Sequence, residues 1–322
     1  DILIGFGLYM VFYGIIYALL ENDMRRILAY SIVNQVGFMI VGIGIGTELS
    51  LNGAAAHAFT HIIYKALLLM SAGSVLYMTG KRKCTDLGGL FQSMPLTAIC
   101  GIIGALAISS FPLTSGFISK SMISQAAADQ HLAMVWFLLV AASAGVFLHA
   151  GIKFPWFVFF QKDSGLRPPD PPLNMRLAMI LFAFLCIALG AWPAPLYALL
   201  PHPVDYVPYT YAHVVTMLQL LLFSGLAFFI MLPYLKRTLT ITLDWDWLYR
   251  WLAPRVIDRT TRVADRWHRH RSIDMLRHIG HFFGRLFLYH GPQGILARTW
   301  ATGSMVLWVV ILLGIYLVAY YY

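Results

Sequence analysis

The feature that most constrains this chain is a series of apolar runs, each about as long as a bilayer is thick and most of them free of charge. Ile2–Leu20 carries no charged side chain, and comparable runs cover Ile27–Gly46, Leu51–Met78, Pro95–Ala128, Leu132–Phe154, Leu177–Pro195, Ala212–Leu232 and Ala301–Tyr321. About 20 helical residues cross a hydrocarbon layer roughly 30 Å thick. No water reaches that layer, so each segment must satisfy its own backbone amides, and each run reads as a helix. Composition agrees: 59% of the residues are apolar and only 11% charged, against roughly 45–50% and 25% in a soluble domain. The expected fold is all-α, a polytopic membrane protein of about eight spans. The chain opens at Asp1, without Met, directly on an apolar run, and is expected to be the later part of a longer protein.

The basic residues fix a topology. Arg25 and Arg26 follow the first run, Lys81, Arg82 and Lys83 the third, and Lys153, Lys162, Arg167 and Arg176 sit in or beside the fifth loop. Twelve more lie between Lys236 and Arg298, and loops two, four and six hold none. Basic loops face the cytoplasm, so this alternation puts the odd-numbered loops inside and supports the count of eight. Of the 23 Lys and Arg, Lys65 and Lys120 are the two that this reading leaves deep within spans.

The fourth run is the irregular one. As one straight helix its 34 residues would extend about 51 Å at roughly 1.5 Å per residue. Its middle reads Ser109-Ser110-Phe111-Pro112-Leu113-Thr114-Ser115-Gly116. Pro112 removes a backbone donor and crowds the preceding turn, so the spacing predicts a helix broken at mid-membrane. Irregular backbone at that depth needs protein or a water-filled cavity around it, and such breaks mark ion pathways.

The segment from 236 to 298 is different in kind. Five acids offset only part of its twelve basic residues, and Trp245, Trp247, Trp251, Val256, Trp267, Ile279 and Phe282 are interleaved with the charges. This reads as amphipathic helix on an anionic lipid surface. Basic residues among aromatics can also mark a nucleic-acid interface, but a tether between two spans makes that the weaker reading, and no nucleic acid is expected. Cys84, Cys100 and Cys186 have no metal-ligand or redox spacing, so neither a metal nor another cofactor is expected.

Chemistry concentrates in the third and fourth spans. A charge at the bilayer centre costs at least about 2.5–3.5 kcal/mol, and such residues mark ion and proton routes. His57, His61 and Lys65 recur every four residues, which puts them on one helix face about 6 Å apart. Histidine titrates near neutrality and burial lowers a lysine toward that range, so such a row can pass protons. Lys120, four residues beyond Gly116, lies too deep to snorkel easily and is accompanied by Ser115, Ser119, Ser121, Ser124 and Gln125. Asp23, Arg25 and Arg26 open the second span as a cap with topology arginines or as part of the site. Asn34 and Gln35 read as interhelical glue, and His149 as a further candidate relay member.

Three stretches then become recognisable: Asp23-Met-Arg-Arg-Ile-Leu-Ala-Tyr-Ser-Ile-Val-Asn-Gln-Val-Gly-Phe-Met39, His57-x3-His61-x3-Lys65-Ala-Leu-Leu, and Phe111-Pro-Leu-Thr-Ser-Gly-Phe-Ile-Ser-Lys120. They resemble the antiporter-like subunits, which include the large subunits of Mrp-type cation/proton antiporters and the proton-pumping membrane subunits of NADH:quinone oxidoreductase. The resemblance implies two inverted five-helix repeats, each with a broken helix. Residues 1–160 would be the second repeat, 161–235 additional helices, 236–298 the surface segment and 299–322 a last span. It implies that Lys65 is the central relay lysine with His57 and His61 as neighbours, and that Lys120 leads outward. Asp23 and Arg25 match the family's charged pair, with Arg where related subunits often carry Lys. The Leu243-Asp-Trp-Asp-Trp-Leu-Tyr249 stretch looks most like the D-type large subunits of Mrp-type Na⁺/H⁺ antiporters. The implied function is proton translocation coupled to Na⁺ antiport, in a complex with other membrane subunits of the bacterial inner membrane. The alternative is a proton-pumping component of an NADH:quinone oxidoreductase or hydrogenase-type complex, where the assembly would be an enzyme.

Overall fold

The computed structural model describes residues 2–232, 248, 252–267, 273–290 and 309–315. They are almost entirely helical, and the chain divides into two units, Asp1–Thr240 and Ile241–Tyr322.

In the first unit α1 spans Ile2–Leu20, α2 Met24–Ile45, α3 Glu48–Thr79, α4 Pro95–Ile108, α5 Ser115–Asp129, α6 Ala133–Val146, α7 Leu173–Ala191, the single turn α8 Ala194–Tyr197, and α9 Tyr211–Met231. After Val146, α6 continues as π-helix through Phe147–Lys153 and Trp156–Phe160. Six helices among the described residues are long and apolar enough to cross a membrane. The fourth predicted span is the pair α4 and α5, two half-helices of 14 and 15 residues. Seven predicted spans are therefore accounted for; the eighth, Ala301–Tyr321, lies outside the described residues except for helix at 309–315.

Local chemistry sets the helix ends. Asp23 caps α2, accepting from the amides of Arg25 (2.9 Å) and Arg26 (3.4 Å), the usual way an orphan first-turn donor is satisfied. α2 ends on Gly46 and α3 on Gly80, both left-handed. Pro95 opens α4, and Asp170 reaches over from the later loop to accept from the amides of Leu96 and Thr97 and from the Thr97 hydroxyl. At the other end of the helices the connections around Thr47, Gln130 and 192–210 carry no Lys or Arg.

α3 is the hub, packed against α2, α4, α5 and α7. α1 and α2 lie side by side at unusually close range: a Cβ on Gly37 would meet the Gly7 carbonyl oxygen at 2.7 Å and the Val11 amide at 2.8 Å. In lipid, where apolar surface gains nothing from hiding, such small residues allow the backbone approach that holds helices together.

The second unit contains α10, Ala253–Trp267, and α11, Ile273–His290, the described part of the predicted surface segment. In α10, Val256 and Ile257 alternate at helical spacing with Arg255, Asp258, Arg259 and Arg262, and both apolar side chains are exposed within their unit. Phe282, Phe283 and Leu286 are exposed likewise on α11.

Candidate functional site

The break between α4 and α5 runs from Ser109 to Thr114. Ser110 (φ 60°) and Leu113 (φ 66°) both take left-handed backbone, which costs a branched or bulky L-residue energy and clusters at functional sites. The two half-helices meet so closely that a Cβ on Gly116 would collide with the Ala107 carbonyl oxygen. The Ser110 hydroxyl donates to the Gly116 carbonyl at 3.3 Å.

Lys120 sits on the first turns of α5 and is 2% exposed. Its ammonium donates to the carbonyl of Ile108 at 2.6 Å, the last residue of α4. A helix C-terminus carries partial negative charge and orphan carbonyls, so the break itself supplies the lysine's partner. The ammonium also lies 5.0 Å from the centre of the Phe38 ring, a cation–π distance.

Lys65, 4% exposed, is held differently. Its ammonium donates to the Leu28 carbonyl (3.1 Å) and the Ser31 hydroxyl (2.8 Å), both on α2. Among the described residues neither lysine is in an ion pair. His57 and His61 stand toward the other end of the same α3 face, ring centres 6.2 Å apart. His61 Nε2 is buried and finds no hydrogen-bond partner among the described residues, an uncommon state for a buried nitrogen.

His57 is the junction. Its Nδ1 lies 2.9 Å from the hydroxyl of Ser119, the residue before Lys120, and that hydroxyl is 3.1 Å from Thr60 Oγ1. Its Nε2 lies 3.2 Å from Gln35 Oε1, which also accepts from the Tyr64 hydroxyl at 2.9 Å. Gln35 donates through Nε2 to Asn34 Oδ1. Asn34 Nδ2 in turn faces His149 Nε2 at 3.1 Å. His149 Nδ1 is 2.8 Å from the Gly145 carbonyl, which can only accept, so Nδ1 holds the proton and Nε2 receives the Asn34 amide. A continuous hydrogen-bonded string thus joins the π-helical stretch, α2, α3 and α5. Asn34, Gln35, His57, Ser119 and His149 are all fully buried.

Sequence reasoning picked out His57, His61, Lys65 and Lys120, and the structure buries all four. It links His57 to Lys120's neighbour, whereas Lys65 bonds to α2 and not to the histidines. Asp23 and Arg25 lie at the basic end. The Asp23 carboxylate pairs with Arg82 at 3.3 Å while the Arg25 side chain is exposed.

Two groups escaped the sequence reading. Lys153, grouped with the fifth loop, is a third buried lysine; this corrects the view that only two basic residues lie inside. It is 9% exposed, and its ammonium donates to the carbonyls of Ala18 (3.0 Å), Leu19 (2.6 Å) and Glu21 (2.6 Å), the open C-terminus of α1. Glu21, 6% exposed, accepts from the amides of Asn22 and Asp23 and pairs with Arg26 at 3.2 Å. The available signal was Lys153's place four residues after His149, ahead of the aromatic run 156–160.

Parts of the chain are similar to known proteins. Residues 1–148 match the family described as "NADH:quinone oxidoreductase/Mrp antiporter, TM". A probable K(+)/H(+) antiporter subunit of Rhizobium meliloti is 32% identical over 195 residues, 58% of this chain and 20% of that protein. A D-type Na(+)/H(+) antiporter subunit of Alkalihalophilus pseudofirmus is 40% identical over 126 residues, 39% of this chain and 25% of that protein. The chain thus spans a quarter or less of the length of these two relatives. A chain in the structure of the membrane-bound sulfane sulfur reductase, an archaeal respiratory membrane complex, has the same fold, with TM-score 0.61 at 24% identity over 98% of this chain and 56% of that one.

Proposed function

We propose that this chain, whose residues 1–148 match the NADH:quinone oxidoreductase/Mrp antiporter family, carries the outward half of a proton path in a multisubunit membrane complex. Protons move from Lys65 past the open nitrogen of His61 to His57, and through Ser119 to Lys120 at the helix break. The single observation that carries this reading is the buried string that joins His57 to Ser119, beside Lys120. Histidine, hydroxyl and amine groups can each both give and take a proton. His149, Asn34 and Gln35 hold His57 in place and connect it to the π-helical stretch. In this reading Asp23 and Arg25 contribute the charged start of α2 at the cytoplasmic face.

The proton movement is coupled to antiport of a monovalent cation, Na⁺ by likeness to the Na(+)/H(+) antiporter relative, through partner antiporter subunits in a bacterial inner membrane. Residues 1–160 act as the second of two inverted repeats. The experiment is proton flux into vesicles holding the complete complex, with Lys65→Ala and Lys120→Ala. Flux falls by on the order of a hundredfold in each if they are relay groups; wild-type flux in both variants overturns the reading. The family's own description also joins NADH:quinone oxidoreductase to the Mrp antiporter, and in a complex of the first kind the same relay would be driven by a neighbouring redox arm. Purification of the complex separates the two: antiporter subunits accompany the chain in the first case, quinone-reducing or hydrogenase subunits in the second.

A further inference from the structure

Lys120 does not face the outer surface directly. It lines a cavity of about 330 Å³ between α5, α6 and α9, together with Ser121, Ser124, Gln125, Tyr206 and His213. That volume has room for on the order of ten water molecules. A second cavity, of about 680 Å³, lies at the end of the unit that carries no basic loops, and Glu48, Asp129 and Asp205 stand on its wall. Gln125, Tyr206 and His213 line both cavities. These three residues therefore border both the lysine chamber and the acidic chamber, and His213 is the one among them with a basic ring nitrogen that can take up and release a proton.

The histidine is positioned for it. It sits in the first turn of α9, where Thr210 caps the helix by accepting from the His213 amide at 3.3 Å. Its Nδ1 lies 2.9 Å from the Pro208 carbonyl, which can only accept, so Nδ1–H donates and Nε2 is left as the basic atom. The ring stacks on Phe117, centres 4.7 Å apart, and Phe117 stacks on Tyr209 on its own account at 5.2 Å. Phe117 is one helical turn before Lys120 on α5. The same aromatic stack that fixes the imidazole is therefore built on the half-helix that carries the lysine.

We infer that His213 is the outer transfer residue, handing protons from the Lys120 chamber to the acidic outer chamber. This deepens the relay reading and rests on it. In the first step an N–H bond of the Lys120 ammonium breaks, and the proton, carried by the hydroxyls and water of the inner chamber, forms an N–H bond at His213 Nε2. In the second step that bond breaks, and the proton passes to a carboxylate of the outer chamber and then to external water. The imidazole returns to its neutral form, and the net change is one proton moved outward. The negative outer chamber attracts the departing proton.

The test uses the complete complex in vesicles. Ser124→Cys reports the geometry without reference to transport. A membrane-impermeant thiol reagent added outside labels it, while the native Cys84, Cys100 and Cys186, all buried, stay unmodified; absence of labelling overturns the inference. His213→Asn keeps a donor for the Pro208 carbonyl but cannot carry a proton, and its flux falls by on the order of tenfold or more. His213→Ala loses flux in the same way and regains it when imidazole is supplied on the outer side. Wild-type flux in His213→Asn, or no rescue of His213→Ala, defeats the transfer role even if Lys120→Ala abolishes flux. Wild-type flux in both Lys65→Ala and Lys120→Ala instead removes the relay reading itself.

Discussion

The three lysines buried among the described residues have different hydrogen-bond partners. Lys153 holds three carbonyls at the C-terminus of α1, groups that no turn of helix follows and that burial hides from water. Lys65 bonds to Leu28 and Ser31 in the body of α2, where the backbone has its own helical partners. Removing a partner from buried polar groups costs about 1–3 kcal/mol, whereas acceptors that keep their own helical partners lose little, and an ammonium buried without a counter-charge is itself costly. Lys153→Met is therefore expected to lower the stability of the detergent-solubilised protein by about 1–3 kcal/mol. Lys65→Met leaves it unchanged or higher. Thermal unfolding of the two variants side by side decides it, and a reversed order refutes the assignment of structural and transport roles. The sequence made Lys65 and Lys120 legible because a charge far from any loop has few reasons to be there. It hid Lys153, since a lysine at the end of a span looks like a topology signal. The link from His57 to Ser119 was not readable either, because the rotation of α3 against α5 depends on packing that no single-chain spacing encodes.

At the scale of elements, the break in the fourth span is the part that local chemistry specified most completely. Pro112 and Gly116 marked its place, and the half-helices end within a few residues of the expected limits. What holds it open is less obvious: left-handed Ser110 and Leu113, the Ser110 bond to Gly116, and the Lys120 ammonium on Ile108. The π-helical continuation of α6, which carries both His149 and Lys153, left no comparable trace in the sequence. π-turns are rare and frequent at functional sites, and their register is set by the neighbours that the helix must meet. Because a Cβ at residue 116 would overlap the Ala107 carbonyl, Gly116→Ala must push α5 away from α4. The cost expected is about 1–3 kcal/mol, and the Lys120 bond to Ile108 lengthens with it. Melting in detergent reads the first effect and proton flux the second. A variant with native stability and native flux would mean that the close approach at the break has no functional weight.

At the scale of the molecule, the described surfaces of the two units differ in character. The first hides its polar groups inside and presents aliphatic and aromatic side chains outward, with Leu222, Phe223, Ile180 and Phe184 among the exposed ones, as a surface facing acyl chains requires. In α10 of the second unit, Val256 and Ile257 stand exposed next to a run of arginines. A helix with that division is suited to a lipid–water interface, where its apolar face would enter the acyl boundary and its cations would sit among headgroups. Each basic residue close to an anionic surface contributes about 1 kcal/mol. Replacing Arg255, Arg259 and Arg262 together with Gln should therefore weaken surface binding by about 3 kcal/mol, on the order of a hundredfold. Amide hydrogen exchange over 253–267, in the full chain held in nanodiscs, measures this. Exchange is slow on anionic lipid and fast on zwitterionic lipid, and the triple variant or high salt brings the first up to the second. Equal rates on both lipids in the unaltered chain would mean that protein, and not headgroups, covers this helix. The basic stretch would then serve as an interface with a neighbouring membrane protein of the complex.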